Sequence, residues 1–161
     1  MDPSDLPAYL ESLKKATEIS APDVANALAR TAQRAVQSKL REHSHPAGLF
    51  YRAATGAAPS YVTGNLSKSI VRTPAAGAIR SSAWVGATAV YSAIQEFGGW
   101  TWGNHGMMHW HNSAGRWFMR RVYVPEHPFM RPAVEGAIRD GSLSRSAISA
   151  FEKHVGFFFR G

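Results

Sequence analysis

The sequence predicts an α+β fold, with an antiparallel β-sheet packed against a long N-terminal helix and a C-terminal helix. Three observations carry that expectation. Helical spacing of apolar residues dominates residues 1 to 41, two-residue alternation replaces it around 70 to 87 and again at 116 to 124, and helical spacing returns after Pro132. Helices, then strands, then helices is the order of a segregated α+β arrangement rather than of repeated βαβ units. The 161 residues, 45% of them apolar, suffice for one core, so a single domain over 1–161 is expected. The chain has no cysteine, which leaves packing or assembly to hold it together.

Taken in order, Leu6, Tyr9, Leu10 and Leu13 form a short amphipathic stripe that predicts a first helix ending near Thr17, with residues 1–19 as a helical arm. A second helix is expected from "SAPD": Ser20 can cap it, Pro22 suits a first turn, and Asp23 complements the free N–H groups. Val24, Leu28, Ala32, Val36 and Leu40 share its inward face, while Arg30, Arg34, Gln37 and Arg41 lie off it. "HSHPAG" ends that helix, because the residue before Pro46 disfavours helix and Gly48 breaks what remains. Residues 48 to 62 read as an exposed loop. Thr63 is positioned to cap a short helix through Ile70, turning Leu66 and Ile70 inward.

"IVRTPAAGAIRSSAWVGA" predicts a hairpin turning around Pro74 and Gly77, with Ile79, Ser81, Ala83 and Val85 alternating against Arg80, Ser82 and Trp84. "VYSAIQEF" returns to helical spacing, and Gly98 supplies the positive φ at its end. A Trp- and His-rich loop over 99–114 precedes the strand "RWFMRRVYV", neither face of which is polar, so other protein should cover both in part. Pro132 then falls in the first turn of a helix, with Glu135 placed to complement its dipole. Ser142 caps the last helix, whose face is Leu143, Ala147, Phe151 and Val155.

Eighteen Lys and Arg against eleven Asp and Glu give a formal net charge of +7, which points to acidic protein surfaces, nucleic acid or an anionic membrane face as partners. No apolar run approaches the ~20 residues of a membrane span, and "MDPSDLPAYLESLKK" does not read as a signal peptide, so a soluble chain is expected. His105, His109 and His111 invite a metal reading, but their spacing matches no HExxH helix and their neighbours are Trp and Met, so no metal or other cofactor is expected. No acid–base pair assembles around Glu96 or Glu135, and the chain carries no GxSxG, Walker or GxGxxG motif; no catalytic residue is assigned. Trp100, Trp102, Trp110 and Trp117, interleaved with Arg116, Arg120 and Arg121, fit either a nucleic-acid surface that stacks bases or the centre of a protein interface.

Three segments in order, "TGNLSKSI" (63–70), "VYSAIQEFGG" (90–99) and "HPFMRPAVEGAI" (127–138), resemble the small neck and tail-completion proteins of long-tailed phages, over roughly residues 20 to 155. Thr63, Gly64, Leu66, Tyr91, Glu96, Phe97, Gly98, Pro128, Phe129, Arg131 and Pro132 carry the likeness. It implies a non-enzymatic virion protein, synthesised in the host cytoplasm. That protein would close into a homo-oligomeric ring, expected to be a hexamer, between the head connector or stopper and the tail terminator or tail tube. DNA passing through the ring would be met without sequence preference, and no membrane is involved. The resemblance further implies that Tyr91, Ile94 and Phe97 dock the short helix on the sheet. Glu96 would orient the Gly98–Gly99 turn by hydrogen bonds or by pairing with Arg131, within one subunit in preference to across two. The 99–114 loop and residues 1–19 depart from the pattern. The helices of 1–41, the aromatic segment 99–117 and the Phe-rich end with Phe157 and Phe158 are the expected ring contacts. The alternative from another class is a basic nucleic-acid-binding module working through Trp stacking and Arg.

Overall fold

The computed structural model describes residues 6–42, 44, 53–77, 80–103, 106–112 and 115–158. A single helix, α1 (Leu6–Arg41), packs against α2, the β1–β2 strand pair and the two C-terminal helices. The two helices expected on either side of residue 19 are one, and residues 6–19 of the expected arm are its first turns. Pro22 lies inside α1 rather than at a start, where it deprives the Glu18 carbonyl of a donor. Ser20, expected as a cap, is instead buried and donates its hydroxyl to the Thr17 carbonyl at 3.1 Å. Packing along the whole helix outweighs the local stop, because small residues at Ala16, Ser20, Ala27 and Ala29 let neighbours approach closely.

After the loop comes α2 (Asn65–Lys68), with Gly64 at its cap position at φ 73°. A side chain there would press into the Tyr61 ring, its Cβ about 2.5 Å from the hydroxyl. Thr63 contributes only a long contact from its Oγ1 to the Asn65 N–H, 3.5 Å. Ile70 does not close the helix; it opens β1 (Ile70–Arg72), which pairs antiparallel with β2 (Val85–Ala87) as the predicted hairpin. Ile79 of that hairpin lies outside the described residues.

Next are α3 (Ser92–Phe97) and four strands, β3 (Gly99–Trp102), β4 (Met108–Asn112), β5 (Gly115–Met119) and β6 (Arg121–Val124). β3 pairs with β6 and β4 with β5, all antiparallel, giving two short two-stranded ribbons, Gly99–Trp102 with Arg121–Val124 and Met108–Asn112 with Gly115–Met119. The segment expected as a loop therefore holds two strands, β3 and β4, and the expected single strand 116–124 is divided at Arg120 into β5 and β6. Its own partner was the unrecognised half: Trp, Thr and His at alternate positions read as aperiodic until a pairing strand is known.

The ribbon returns through Pro125 to α4 (Met130–Arg139) and α5 (Ser142–Phe158). The class is the predicted α+β with antiparallel sheet, although the sheet is three two-stranded pieces. Val36, Leu40, Ala58, Ile70, Phe129 and Ala133 make the core, where α1, the β1–β2 hairpin and the start of α4 meet. Val36 and Leu40 face inward as their spacing requires. Gln37 was placed off the face, yet with Gln33 it reaches across, donating to the Ser67 and Ile70 carbonyls at 3.3 and 2.7 Å. α5 lies antiparallel on α1, with Ser146 bonded to Thr31 and Ala27, and His154 against Asp23. Among its described residues Ala150 is buried, three residues after the predicted Ala147 and one before Phe151, which is exposed. Among the described residues no helix is long and apolar enough to cross a membrane.

Candidate functional site

Glu96 sits near the end of α3 and is buried, 7% exposed, while its neighbour Phe97 is 68% exposed. The expected docking of α3 by its aromatics is thus reversed: Tyr91 and Phe97 face out, Ile94 is half-buried, and the carboxylate faces in. The reason lies opposite it. α4 begins at Met130 with no side chain of its own capping its free N–H groups. The Glu96 carboxylate supplies that cap from another helix: Oε2 accepts from the Phe129 and Met130 N–H groups at 2.8 and 2.9 Å, and Oε1 from the Arg131 N–H at 3.1 Å. A carboxylate at a helix N-terminus also meets the positive end of the dipole. Both oxygens are engaged, so Glu96 holds structure in place.

This corrects two expectations. Arg131 is indeed the residue Glu96 reaches, but through its backbone N–H; its side chain is exposed and no ion pair joins the two. Glu135, expected to complement the dipole, lies in the second turn, and no acidic residue of α4 occupies its first. Pro132 does fall in that first turn, and Phe129, fully buried, wedges the junction into the core.

Gly98 completes the joint. At φ 66° and ψ −174° it occupies a region closed to side chains, and a Cβ would stand 2.8 Å from the Glu126 nitrogen and 3.0 Å from the Val124 oxygen. The incoming and outgoing strands of the ribbon therefore cross at van der Waals contact. The segment after Val124 is held by Gly56 N–H to the Glu126 carbonyl, 3.1 Å, and by His127 N–H to the Gln95 carbonyl, 2.7 Å. Buried His127 also places Nδ1 3.0 Å from the Ala57 carbonyl; a carbonyl only accepts, so Nδ1 carries the proton. Pro128 lies between these anchors, half-buried.

The ribbon that leaves this joint is different in kind. Trp100 faces Tyr123 and Trp102 faces Arg121 across the β3–β6 pair, which puts the four on one face. That face is open: Trp100 is 48%, Trp102 64% and Tyr123 56% exposed. The opposite face, with Thr101, Val122 and Val124, is half-buried. Arg121 sits over the Trp100 ring at 4.5 Å, and Tyr123 meets the same ring edge-on, centroids 5.5 Å apart. Arg116 and Arg120 are exposed further along. The strand was expected to be covered on both faces; within one copy of the chain the aromatic face is bare. The side chains of Trp110, Trp117, Phe157 and Phe158 lie outside what is described.

Sequence reading missed two features. Arg30 and Arg34 of α1 line a groove with Lys153 and His154 of α5, a basic strip visible only once the two helices lie together. Leu6 and Leu10, part of the expected amphipathic stripe, are exposed at the start of α1. Among the described residues no group of three or more His, Asp and Glu is arranged to hold a metal; His105 and the side chains of His109 and His111 lie outside them.

No protein-family model, no curated protein and no solved structure matches this chain.

Proposed function

We propose that this chain is a structural virion protein that assembles into a closed ring at the head–tail junction of a long-tailed phage, joining head to tail and continuing the DNA channel. The reading starts from the order of the three segments "TGNLSKSI", "VYSAIQEFGG" and "HPFMRPAVEGAI". The observation that carries it further is the bare aromatic face of the ribbon, Trp100, Trp102, Arg121 and Tyr123, held rigidly at its root by Glu96 and Gly98. A two-stranded ribbon is marginal alone in water, and Trp, Tyr and Arg are the residues enriched at the centres of protein interfaces. A ring subunit needs two different patches that fit each other, and only then does the assembly close.

The partners on this reading are further copies of the chain, in a ring of six, with head connector or stopper on one side and tail terminator or tube on the other. The reading assigns no bond-breaking step. The groove of Arg30, Arg34 and Lys153 suits passing phosphate without base contacts, as a conduit requires. The competing reading, a basic nucleic-acid module, draws on the same Trp and Arg residues, but Arg121 already covers the Trp100 ring that a base would use. Native mass spectrometry decides between them. A discrete ring with weak DNA affinity supports the neck protein. A monomer whose DNA binding is tight and falls steeply with salt overturns it, as does a purified phage particle whose neck lacks this polypeptide.

A further inference from the structure

Charge along the chain is uneven, and the fold turns that unevenness into a surface. From Val24 to Pro125 the sequence holds eleven Lys and Arg against two carboxylates, Glu42 and Glu96. Both carboxylates are already engaged, Glu42 by Lys39 at 2.7 Å and Glu96 by the start of α4. Within that stretch α1 carries Arg30, Arg34 and Arg41 at helical spacing, which sets the three within about 40° of one another around the helix and along about 16 Å of it. All three are exposed.

The elements on either side add cations. On one flank Ala27 and Thr31 meet α5, where Lys153 and His154 complete the groove with Arg30 and Arg34. On the other flank residues 70 to 75 run back along α1, with Ile70 held at Gln33 and Ala75 at Asn26, so the exposed Arg72 comes abreast of the arginines. Among the described residues no carboxylate pairs with Arg30, Arg34, Arg41, Arg72 or Lys153. The one acid lining the groove, Asp23, is taken by His154 at 2.7 Å.

The lining selects the ligand. Apart from Ala27 and Ala150, every residue around the groove is polar or charged. It offers no apolar centre for a protein partner, no apolar face for a lipid surface and no aromatic ring on which an unpaired base could stack. A row of unpaired cations without a hydrophobic anchor fits the outside of a duplex, whose phosphates present a continuous line of negative charge that carries no sequence. We propose, resting on the ring reading for the source of that duplex, that Arg30, Arg34, Arg41, Arg72 and Lys153 form the surface this chain turns toward DNA in the channel. The aromatic face of β3–β6 is then left to protein contacts.

The test measures binding of the full-length protein to short fluorescent duplexes of two unrelated sequences, from about 50 to 200 mM salt. Wild type should bind both alike, with log K falling against log salt at a slope of about −2.7 to −4.5, the range for three to five phosphates neutralised. Arg30→Gln with Arg34→Gln should weaken binding about tenfold at low salt and flatten that slope by about 1.8. Lys14→Gln with Lys15→Gln removes the same charge from exposed positions of the same helix, Lys15 lying about 22 Å from Arg30, and should change binding less than about twofold. Circular dichroism and native mass spectrometry check that both variants fold and assemble as wild type does. Equal loss in the two variants, or a loss carried instead by Arg120→Gln with Arg121→Gln, overturns the assignment. So does competition by poly-glutamate as strong as that by DNA at matched charge, which makes an acidic protein the partner. A wild-type ring that binds no DNA overturns the DNA surface and leaves the ring standing. A wild-type monomer whose DNA binding is lost with Arg30 and Arg34 overturns the ring and keeps the surface.

Discussion

The joint between α3 and α4 and the ribbon beside it are adjacent in sequence and opposite in physics. At the joint a carboxylate is buried and fully satisfied by three N–H donors, a glycine occupies a backbone region no other residue tolerates, and Phe129 fills the core. On the ribbon, large aromatic side chains stand in water with an arginine stacked on one of them. Burying polar groups and exposing apolar ones both run against the usual partition. The difference is that the polar exception is resolved within the chain, whereas the apolar one is left open by it and, on the proposed ring reading, is covered by a neighbour. One region should therefore govern stability, and the other association.

Substitutions can break that division, beginning with the largest effect. Glu96→Ala strips three main-chain donors of their acceptor at once and should cost about 3–5 kcal/mol in chemical denaturation, in the range for breaking a buried charged network. Glu96→Gln, which keeps the shape but turns an amide NH2, itself a donor, toward one of the N–H groups, should lose about half as much. Gly98→Ala comes next: the added methyl meets backbone on both sides, and a loss of about 2–4 kcal/mol with a lowered Tm is expected. If either variant were as stable as the wild type, the joint would not be what holds the ribbon.

Pro22→Ala should move the other way. Restoring an N–H opposite the Glu18 carbonyl within a continuous helix should raise stability by about 1–3 kcal/mol, readable as an increase in Tm. A decrease would mean that α1 needs the interruption. Trp102→Ala should change monomer stability by less than about 0.5 kcal/mol, since the side chain is mostly solvated, while abolishing assembly in native mass spectra. A large stability loss there would blur the contrast drawn above.

The smallest effect is at Asp140, where the Ser142 backbone N–H, then the Ser142 hydroxyl, and more weakly Arg145, hold the carboxylate below its ordinary range. A folded-state value lowered in this way stabilises the start of α5 above the unfolded carboxylate's titration, and that stabilisation is lost as pH falls through the folded value. Asp140→Asn should accordingly differ from wild type in Tm at neutral pH, with the gap closing only in acid. A gap independent of pH would assign the effect to the hydrogen bond alone.

Much of this architecture was legible from residue spacing. The α+β class, the inward positions Val36 and Leu40, the β1–β2 hairpin, the glycine at the end of α3 and the start of α4 near Pro132 all follow from local periodicity and backbone chemistry, which act over a few residues. The candidate site was legible only as composition: Trp and Arg between 99 and 121 marked a contact surface, but not its shape. Local rules stop where partners lie far apart in the chain. Pro22 reads as a helix start until α5 lies along α1; residues 99 to 114 read as a loop until β3 and β4 find their partners β6 and β5; and Glu96 reads as a partner of the Gly98–Gly99 turn or of the Arg131 side chain until α4 presents its N-terminus. Sequence by itself determined the kinds of elements and the chemistry each displays, because those depend on the dihedral preferences and side chains of near neighbours. Only the tertiary structure decided which polar groups could be buried and which aromatics left bare, because hydrogen-bond satisfaction and loss of water contact depend on what long-range packing brings opposite each group.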